Sequence, residues 1–224
     1  MNFFLLVFLF LGIISTNLFA QEFGIKAGTG FSYVYQTGEF DYFRNTIRLE
    51  SNPCFFLSLR INWHLVGNLY LALEPGVIEK NGKVTGINVG QDSQNNVVYG
   101  YQEYTLWNLE NSLLINYNIA AVKDILLDVY FGPGSSWNVS DKQNLVLPAT
   151  PIIHYNAYPA SYYKYQHLTN TGPYIAAGIN ISYQKFQFDL RYIKEYSDLI
   201  INVNPVTLEK YRSYLFNFLI GYVF

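Results

Sequence analysis

The last twelve residues of the chain, 213–224, read SYLFNFLIGYVF. Large apolar side chains occupy every second position from Tyr214 to Phe224, while Ser213, Asn217 and Gly221 stand on the other parity. Because successive side chains of a β-strand point to opposite faces, this period of two predicts a strand with one apolar face. The stretch is also long enough to cross a bilayer when tilted, which takes roughly 9 to 11 residues.

Seven further stretches show the same alternation and have a similar length. With the last one, they predict eight strands: Phe23 to Tyr35, Cys54 to Leu65, Leu69 to Ile78, Tyr104 to Tyr117, Ile125 to Trp137, Pro173 to Tyr183, Phe186 to Tyr196 and Ser213 to Phe224. Beyond the N-terminal segment no apolar run is long enough for a membrane helix. The pattern therefore predicts an all-β fold, an eight-stranded antiparallel transmembrane β-barrel.

The predicted links between these strands alternate in length. The short ones are residues 66–68, 118–124 and 184–185, and the long, polar ones are residues 36–53, 79–103, 138–172 and 197–212. Outer-membrane barrels have short periplasmic turns and long extracellular loops. Eight strands also return Gln21 and Phe224 to the short-turn side, where the first and last strands can pair and remove the sheet edges.

Alternation alone does not say which face points outward, because a soluble lipocalin-like barrel would turn its apolar face inward around an apolar ligand. On the apolar face, however, aromatic residues gather at both ends and aliphatic residues lie between them. The short-turn ends carry Phe23, Trp63, Tyr117, Tyr183, Phe186 and Tyr222, and the long-loop ends carry Tyr33, Phe55, Trp107, Tyr192 and Tyr214. Two aromatic belts around an aliphatic band indicate contact with lipid.

The opposite face carries charges mixed with Gly, Ser and Asn. They are Lys26, Arg60, Glu74, Glu110, Asp128, Asp189 and Arg191. An Arg or Lys facing lipid near mid-bilayer would cost about 2–4 kcal/mol, so we expect these side chains in the lumen, paired with one another. An eight-stranded lumen is just wide enough for side chains, so we expect no open pore.

The first twenty residues form a separate segment. An apolar run from Phe3 to Ile14 is followed by Leu18-Phe19-Ala20 and a polar pair, which predicts a signal peptide of residues 1–20 and a barrel domain of residues 21–224. With this segment, the pattern predicts a multi-pass protein of the Gram-negative outer membrane. Its expected partners are outer-membrane lipid and lipopolysaccharide.

Composition excludes several classes of function. Charged residues make up 13% of the chain and the formal net charge is −2, so nothing favours nucleic-acid binding. The single Cys54 has no disulfide partner, and no His, Cys or carboxylate cluster has the spacing of a metal site. We therefore expect no cofactor and no metal. The aromatic load of 21 Tyr and 17 Phe suits a membrane interface.

Several short motifs resemble the porin-like outer-membrane β-barrel family that includes PorT-type proteins and, more loosely, the small OmpA-like barrels. They are Phe23-Gly24-Ile25-Lys26-Ala27-Gly28, Leu113-Leu114-Ile115-Asn116-Tyr117, Phe131-Gly132-Pro133-Gly134, Gly178-Ile179-Asn180-Ile181, Leu190-Arg191-Tyr192 and Tyr222-Val223-Phe224. The resemblance covers residues 21–224 and implies fold and location rather than activity. It implies that Tyr222 and Phe224 form the C-terminal assembly signal and that the barrel-assembly machinery, which reads this signal, is a further partner. Asn111-Ser112 replaces an Ile-Pro pair of that family, so we expect a bulge or a local register shift there.

Function is less determined than fold. Crowded Tyr residues in the third long loop suggest an adaptable contact surface for an extracellular protein or glycan, or a cover over the barrel mouth: Tyr155, Tyr158, Tyr162, Tyr163 and Tyr165. The first hypothesis is a non-enzymatic structural, binding or secretion-accessory role through the extracellular loops. The alternatives are a soluble lipocalin-like carrier and a lipid-modifying enzyme that uses His64, His154 or His167.

Overall fold

The computed structural model describes residues 22–36, 48–149, 152, 154–155, 171–196, 199–204 and 207–224. Its regular elements are all β-strands, numbered in chain order. They are β1 (Glu22–Gln36), β2 (Arg48–Val66), β3 (Leu69–Gln91), β4 (Val97–Val122), β5 (Ile125–Val146), β6 (His154–Tyr155), β7 (Gly172–Tyr183), β8 (Phe186–Glu195), β9 (Leu199–Asn204) and β10 (Thr207–Val223). The predicted signal peptide lies outside the described residues and stays a prediction.

Eight of these strands form one closed antiparallel sheet. Each pairs with the next in the order β1, β2, β3, β4, β5, β7, β8, β10, and β10 pairs again with β1 from Gly24 opposite Val223 to Gln36 opposite Tyr211. The short strand β6 pairs with the tip of β3, and β9 forms a hairpin with the start of β10. The predicted eight-stranded antiparallel barrel is therefore confirmed.

The barrel has its polar side chains inside and its apolar side chains outside. Lys26, Arg60, Glu74 and Arg191 are each at most 3% exposed. Outward-facing apolar side chains are about half exposed, among them Leu59, Ile115, Phe131, Leu190, Phe218 and Ile220. A soluble protein would not leave such a continuous apolar surface in water, whereas hydrocarbon chains cover it at no cost.

Aromatic side chains mark both ends of this surface, as predicted. Phe23, Tyr117, Tyr183 and Phe186 are exposed near the short turns, and Tyr33 and Phe55 near the opposite end. Trp63, which the alternation assigns to the same belt, is 9% exposed and is therefore covered by its neighbours. A closed eight-stranded sheet with an apolar band between aromatic belts is the construction of a Gram-negative outer-membrane protein.

Several strands continue well beyond the segment in which their apolar and polar residues alternate. The segment 79–103 is not a long loop: β3 continues to Gln91, β4 begins at Val97, and a short turn joins them. Likewise β2 begins at Arg48, β5 continues to Val146, and residues 199–204 and 207–212, predicted as loop, form a β9–β10 hairpin. On the other side β4 continues to Val122, which shortens the predicted turn 118–124 to Lys123-Asp124.

These differences have a common cause. Alternation of apolar and polar residues ends where a strand leaves the hydrocarbon layer, but backbone pairing does not end there. Above the belt, polar cross-strand contacts replace apolar ones: the Thr105 hydroxyl donates to Asn81 Oδ1 at 2.8 Å, and Lys83 Nζ lies 3.8 Å from Glu50 Oε2. A search for alternation therefore finds the membrane segment of each strand and misses the rest.

The expected bulge or register shift at Asn111 is also wrong. Asn111 lies opposite Pro75 on one side and Ser135 on the other, in continuous register on both sides. The irregularities of the β4–β5 pair lie instead between Trp107 and Asn108 and between Asn118 and Ala120. Asn111 therefore keeps its outward direction and faces lipid.

Within the described residues, no helix has the length and apolar character needed to cross a membrane.

The closing seam between β1 and β10 supplies a first test, because a Cβ atom at Gly28 would lie 2.0 Å from the backbone oxygen of Phe218. Gly28→Val forces two backbones apart where the barrel closes, and we expect it to abolish the folded, fast-migrating band on unboiled denaturing gels. Ala27→Val, on the outward face of the same strand, is the matched control and should fold normally. Equal folded yields for both variants would contradict this account of the seam.

Candidate functional site

Glu74 is the centre of a cluster of charges on the periplasmic half of the lumen. Its Oε1 accepts a hydrogen bond from Arg60 Nη1 at 3.0 Å and lies 3.2 Å from Lys26 Nζ. Its Oε2 accepts from Arg191 Nη2 at 2.5 Å. These residues stand on β1, β2, β3 and β8, so one carboxylate ties together strands on opposite sides of the barrel.

Asp189 completes this periplasmic-side cluster. Its Oδ2 accepts from Lys26 Nζ at 2.6 Å and from Arg191 Nη2 at 2.8 Å, and its Oδ1 accepts from the Tyr130 hydroxyl. Arg191 Nε donates to the same Tyr130 oxygen at 3.0 Å, and its guanidinium lies over the Phe56 ring at 5.4 Å. Nearly all these polar groups are satisfied by neighbours, as charges removed from water require.

An apolar layer fills the lumen next to this cluster. Phe56, Ile78, Ile193 and Leu215 are each at most 1% exposed and belong to one buried group that also contains Leu114 and Ala176. Within the same layer the hydroxyls of Ser112 and Tyr174 lie 2.7 Å apart. Side chains thus close the lumen near its middle.

A second cluster of charges lies on the extracellular side of the apolar layer. Lys80 forms ion pairs with Glu195 and with Glu110, the latter at 3.4 Å. The Ser213 hydroxyl donates to Glu195, and Ser136 Oγ donates to Glu110 Oε1 at 3.4 Å. This extracellular-side cluster joins β3, β4, β5, β8 and β10.

The structure brings all the predicted lumen charges inside. Asp128 differs from the others, because it is half-buried near the periplasmic mouth and accepts hydrogen bonds from Asn118 and Asn180. Sequence reasoning missed Lys80 and Glu195. Lys80 lies beyond Ile78, where the predicted third strand ends, so the alternation assigns it to a loop. Glu195 lay within a predicted strand on the inward parity, so parity alone could have found it.

The described lumen offers no apolar binding chamber. Its periplasmic end contains a small polar cavity of about 70 Å³, lined among others by Glu22, Arg60, Asn62 and Asp128. An apolar ligand would find neither room nor matching chemistry there. The soluble lipocalin-like alternative is therefore wrong, because the apolar face of this barrel points outward.

The described residues give catalysis little support. His64 Nε2 is 2.8 Å from the Gly67 carbonyl oxygen and the His64 ring packs edge-on against Tyr70, which is a turn contact. In the part of the chain that the structure describes, no three His, Cys, Asp or Glu side chains gather as metal ligands. His154 lies on β6, and His167 lies outside the described residues.

Above the outer aromatic belt, parts of β2, β3, β4 and β5 continue as a sheet that we name the extracellular wall. It comprises residues 48–53, 81–91, 97–105 and 138–146. From Asn81 to Gln91, β3 alone adds about 36 Å of strand at about 3.3 Å per residue. On the outward side Lys83 Nζ lies 4.0 Å from the centroid of the Tyr101 ring. The wall is therefore a paired sheet rather than a loose loop.

The turn at the tip of the extracellular wall is held by one carboxylate. Asp92 Oδ1 accepts the backbone N–H groups of Gln94 at 2.8 Å and Asn96 at 2.9 Å, and its Oδ2 accepts from Asn96 Nδ2 at 3.1 Å. These bonds, first of all the one from the Asn96 side chain, hold the pKa of Asp92 below its ordinary value. The turn is therefore most stable at pH values above the pKa of Asp92, and it loosens as the pH falls through that pKa.

The Tyr-rich segment meets the extracellular wall at its tip. The backbone of Tyr155 pairs with Gly90 and that of His154 with Gln91, which adds β6 to the end of β3. Tyr158, Tyr162, Tyr163 and Tyr165 lie outside the described residues. The predicted contact surface is thus anchored at one described point, and its role stays a prediction.

The C-terminus ends at the periplasmic rim of the seam. The backbone N–H of Phe224 donates to the Phe23 carbonyl at 2.9 Å, and its ring is 72% exposed. The Tyr222 ring packs edge-on against both Phe224 and Phe186, with centroids 5.7 Å and 5.6 Å apart.

No family model and no curated protein matches this sequence. Solved structures with a similar fold include Ail, the attachment invasion locus protein of Yersinia pestis, solved with the heparin analogue sucrose octasulfate (13% identity, 91% of this chain and 98% of that chain covered, TM-score 0.41). Others are OprG from Pseudomonas aeruginosa (11%, 92% and 96%, TM-score 0.47) and Neisserial surface protein A (11%, 90% and 97%, TM-score 0.40). These identities and TM-scores transfer no function, and the PorT-type resemblance stays a prediction.

Glu74→Gln tests the periplasmic-side cluster. The substitution keeps the shape of the side chain but removes one of the two carboxylates of the cluster. Asp189 is then left to pair with the three cations Lys26, Arg60 and Arg191. We expect the free energy of unfolding to fall by about 3–5 kcal/mol, measured by urea unfolding in lipid vesicles. Glu79→Gln, on the outward side of the same strand, is the control and should change it by less than about 0.5 kcal/mol. Equal unfolding midpoints for the two variants would rule out Glu74 as the centre of the cluster.

Proposed function

We propose that this outer-membrane barrel is non-enzymatic and acts by presenting the extracellular wall as a contact surface for an extracellular protein or glycan. The observation that carries the proposal is the length of β3 and β4 beyond the outer belt. Anchoring a barrel in lipid does not require those residues. A rigid sheet extending outward from a closed barrel is suited to recognition, because little conformational entropy is lost when it binds.

The chemistry of the wall supports the same role. Near its tip Tyr99 and Val97 are 47% and 41% exposed, and β6 brings Tyr155 to the neighbouring strand. In the sequence Tyr158, Tyr162, Tyr163 and Tyr165 follow Tyr155 closely, and we include them in the proposed contact surface. Tyr side chains supply contact area and a hydroxyl at low entropic cost, as in antibody loops.

The filled lumen argues against transport through the barrel. Two charged clusters and the apolar layer between them occupy the described interior, and the small periplasmic cavity is lined by polar side chains, Arg60 among them. The lumen of an eight-stranded barrel is too narrow to hold a channel in addition to these side chains. We therefore assign the charged clusters a structural role, in which they hold the strands together.

Biogenesis forms part of the proposal. The exposed Phe224 ring and the neighbouring Tyr222 support the role of these residues as the signal read by the barrel-assembly machinery. Lipid and lipopolysaccharide would then surround the belts after insertion.

Shortening the extracellular wall tests the contact role. Residues 83–103 are deleted and Gly82 is joined to Tyr104, its partner across the hairpin, through an Asn-Gly turn. Cells that carry the intact protein should bind at least one member of an immobilised glycan array or a panel of immobilised extracellular proteins. The shortened variant should lose that binding while keeping its heat-modifiable band. As a control, residues 92–96 alone are replaced by Asn-Gly, which leaves the wall in place.

Two outcomes would refute the contact role. One is binding that persists in the shortened variant, and the other is the absence of any binding by the intact protein on either panel.

Conductance separates this proposal from a channel. Purified protein in planar bilayers should give no discrete current steps, because the apolar layer around Phe56 and Ile193 blocks the described lumen. Insertion is verified by the heat-modifiable band of protein recovered from the same vesicles. Regular single-channel steps from the folded protein would show that the lumen opens and would overturn the closed-barrel account.

A further inference from the structure

The lipid-facing surface of the residues that the structure describes contains a single polar patch. Between the two aromatic belts, the outward-facing side chains of the eight barrel strands are apolar or proline, with three exceptions in the described chain: Thr29, Asn111 and Ser135. The Thr29 hydroxyl has a partner within the barrel, because it donates to the Cys54 carbonyl on the neighbouring strand at 2.9 Å. Asn111 and Ser135 are directly opposite each other on β4 and β5.

Neither side chain of this pair has a hydrogen-bond partner among the residues that the structure describes. Asn111 lies between Trp107 and Tyr117 of the same strand, well inside the apolar band, and is partly exposed. Lipid chains offer neither donors nor acceptors, so an amide and a hydroxyl at this depth are unfavourable unless another protein surface meets them.

The residues around Asn111 and Ser135 allow another protein surface to approach the pair closely. Pro75 is opposite Asn111 on β3, and the exposed Pro133 stands two residues before Ser135 on β5. Proline rings are compact and rigid, and they lose no side-chain entropy when covered. The patch carries no charge. Whatever covers it must be neutral, must be able to donate and accept hydrogen bonds, and must lie at the same depth of the membrane.

We propose that a second copy of this chain covers the patch, in a dimer whose two-fold axis runs along the membrane normal near Asn111 and Ser135. Every copy inserts in the same direction, so such an axis brings identical patches together at identical depth. An Asn amide both donates and accepts, which makes the patch self-complementary. Polar side chains on lipid-facing surfaces associate membrane segments in this way. The inference rests on the lipid-facing exterior and is independent of the contact role of the extracellular wall.

Cysteine cross-linking in the outer membrane tests the dimer. Ser135→Cys is made in a Cys54→Ser background and oxidised with copper phenanthroline in isolated membranes. The matched control is Leu190→Cys on the lipid-facing side of β8, which stands two residues before the belt residue Tyr192, as Ser135 stands two residues before the exposed Trp137. We expect Ser135→Cys to give at least about five times more covalent dimer than Leu190→Cys. Adding Asn111→Leu should reduce the yield to the control level without loss of the heat-modifiable band.

Three results would overturn the proposal: equal yields at the two positions, a cross-linked product whose mass is not that of two copies, or a yield that Asn111→Leu leaves unchanged. If Ser135→Cys does not fold, Pro133→Cys at the exposed neighbouring position repeats the measurement with the same control.

Discussion

The pairing of β1 with β10 leaves no backbone edge in the part of the barrel that crosses the membrane. Hydrocarbon supplies no hydrogen bonds, so a sheet can exist there only when it closes on itself. Closure in turn requires close backbone contact along the seam, which Gly28 permits beside Phe218. It also fixes which parity of every strand faces lipid and which faces the lumen, since one register slip would exchange the faces.

Once the parity is fixed, the lumen must hold every polar side chain of the inner face. The chain meets this requirement with two charge clusters on either side of an apolar layer. In the periplasmic-side cluster Glu74 and Asp189 balance most of the positive charge. In the extracellular-side cluster Lys80 lies between Glu110 and Glu195. Such clusters need good geometry to offset the cost of removing charges from water. The same side chains that stabilise the barrel also fill it.

The eight membrane segments, the inward charges and most belt residues could be predicted from the sequence. The bilayer imposes an alternation of apolar and polar residues on each membrane segment, and that alternation is visible in the chain. The extracellular wall could not be predicted, since its strands mix polar and apolar residues without a regular alternation. Lys80 lies in the lumen two residues beyond Ile78, where the alternation of β3 ends, so the same search misses it. The covered Trp63 and the continuous register at Asn111 depend on packing and pairing between strands, which no single strand reveals. The wall matters most for function, and its signal in the sequence is the weakest.

Nitroxide accessibility along β10 tests the central claim, that the apolar parity faces lipid. Labels at Phe216→Cys, Phe218→Cys and Ile220→Cys, in a Cys54→Ser background and in lipid vesicles, should collide freely with oxygen and be shielded from a water-soluble nickel chelate. These side chains are 45%, 55% and 60% exposed in the barrel. Labels protected from both reagents, or a protein that stays soluble without lipid, would place this face inside a packed interior and contradict the account.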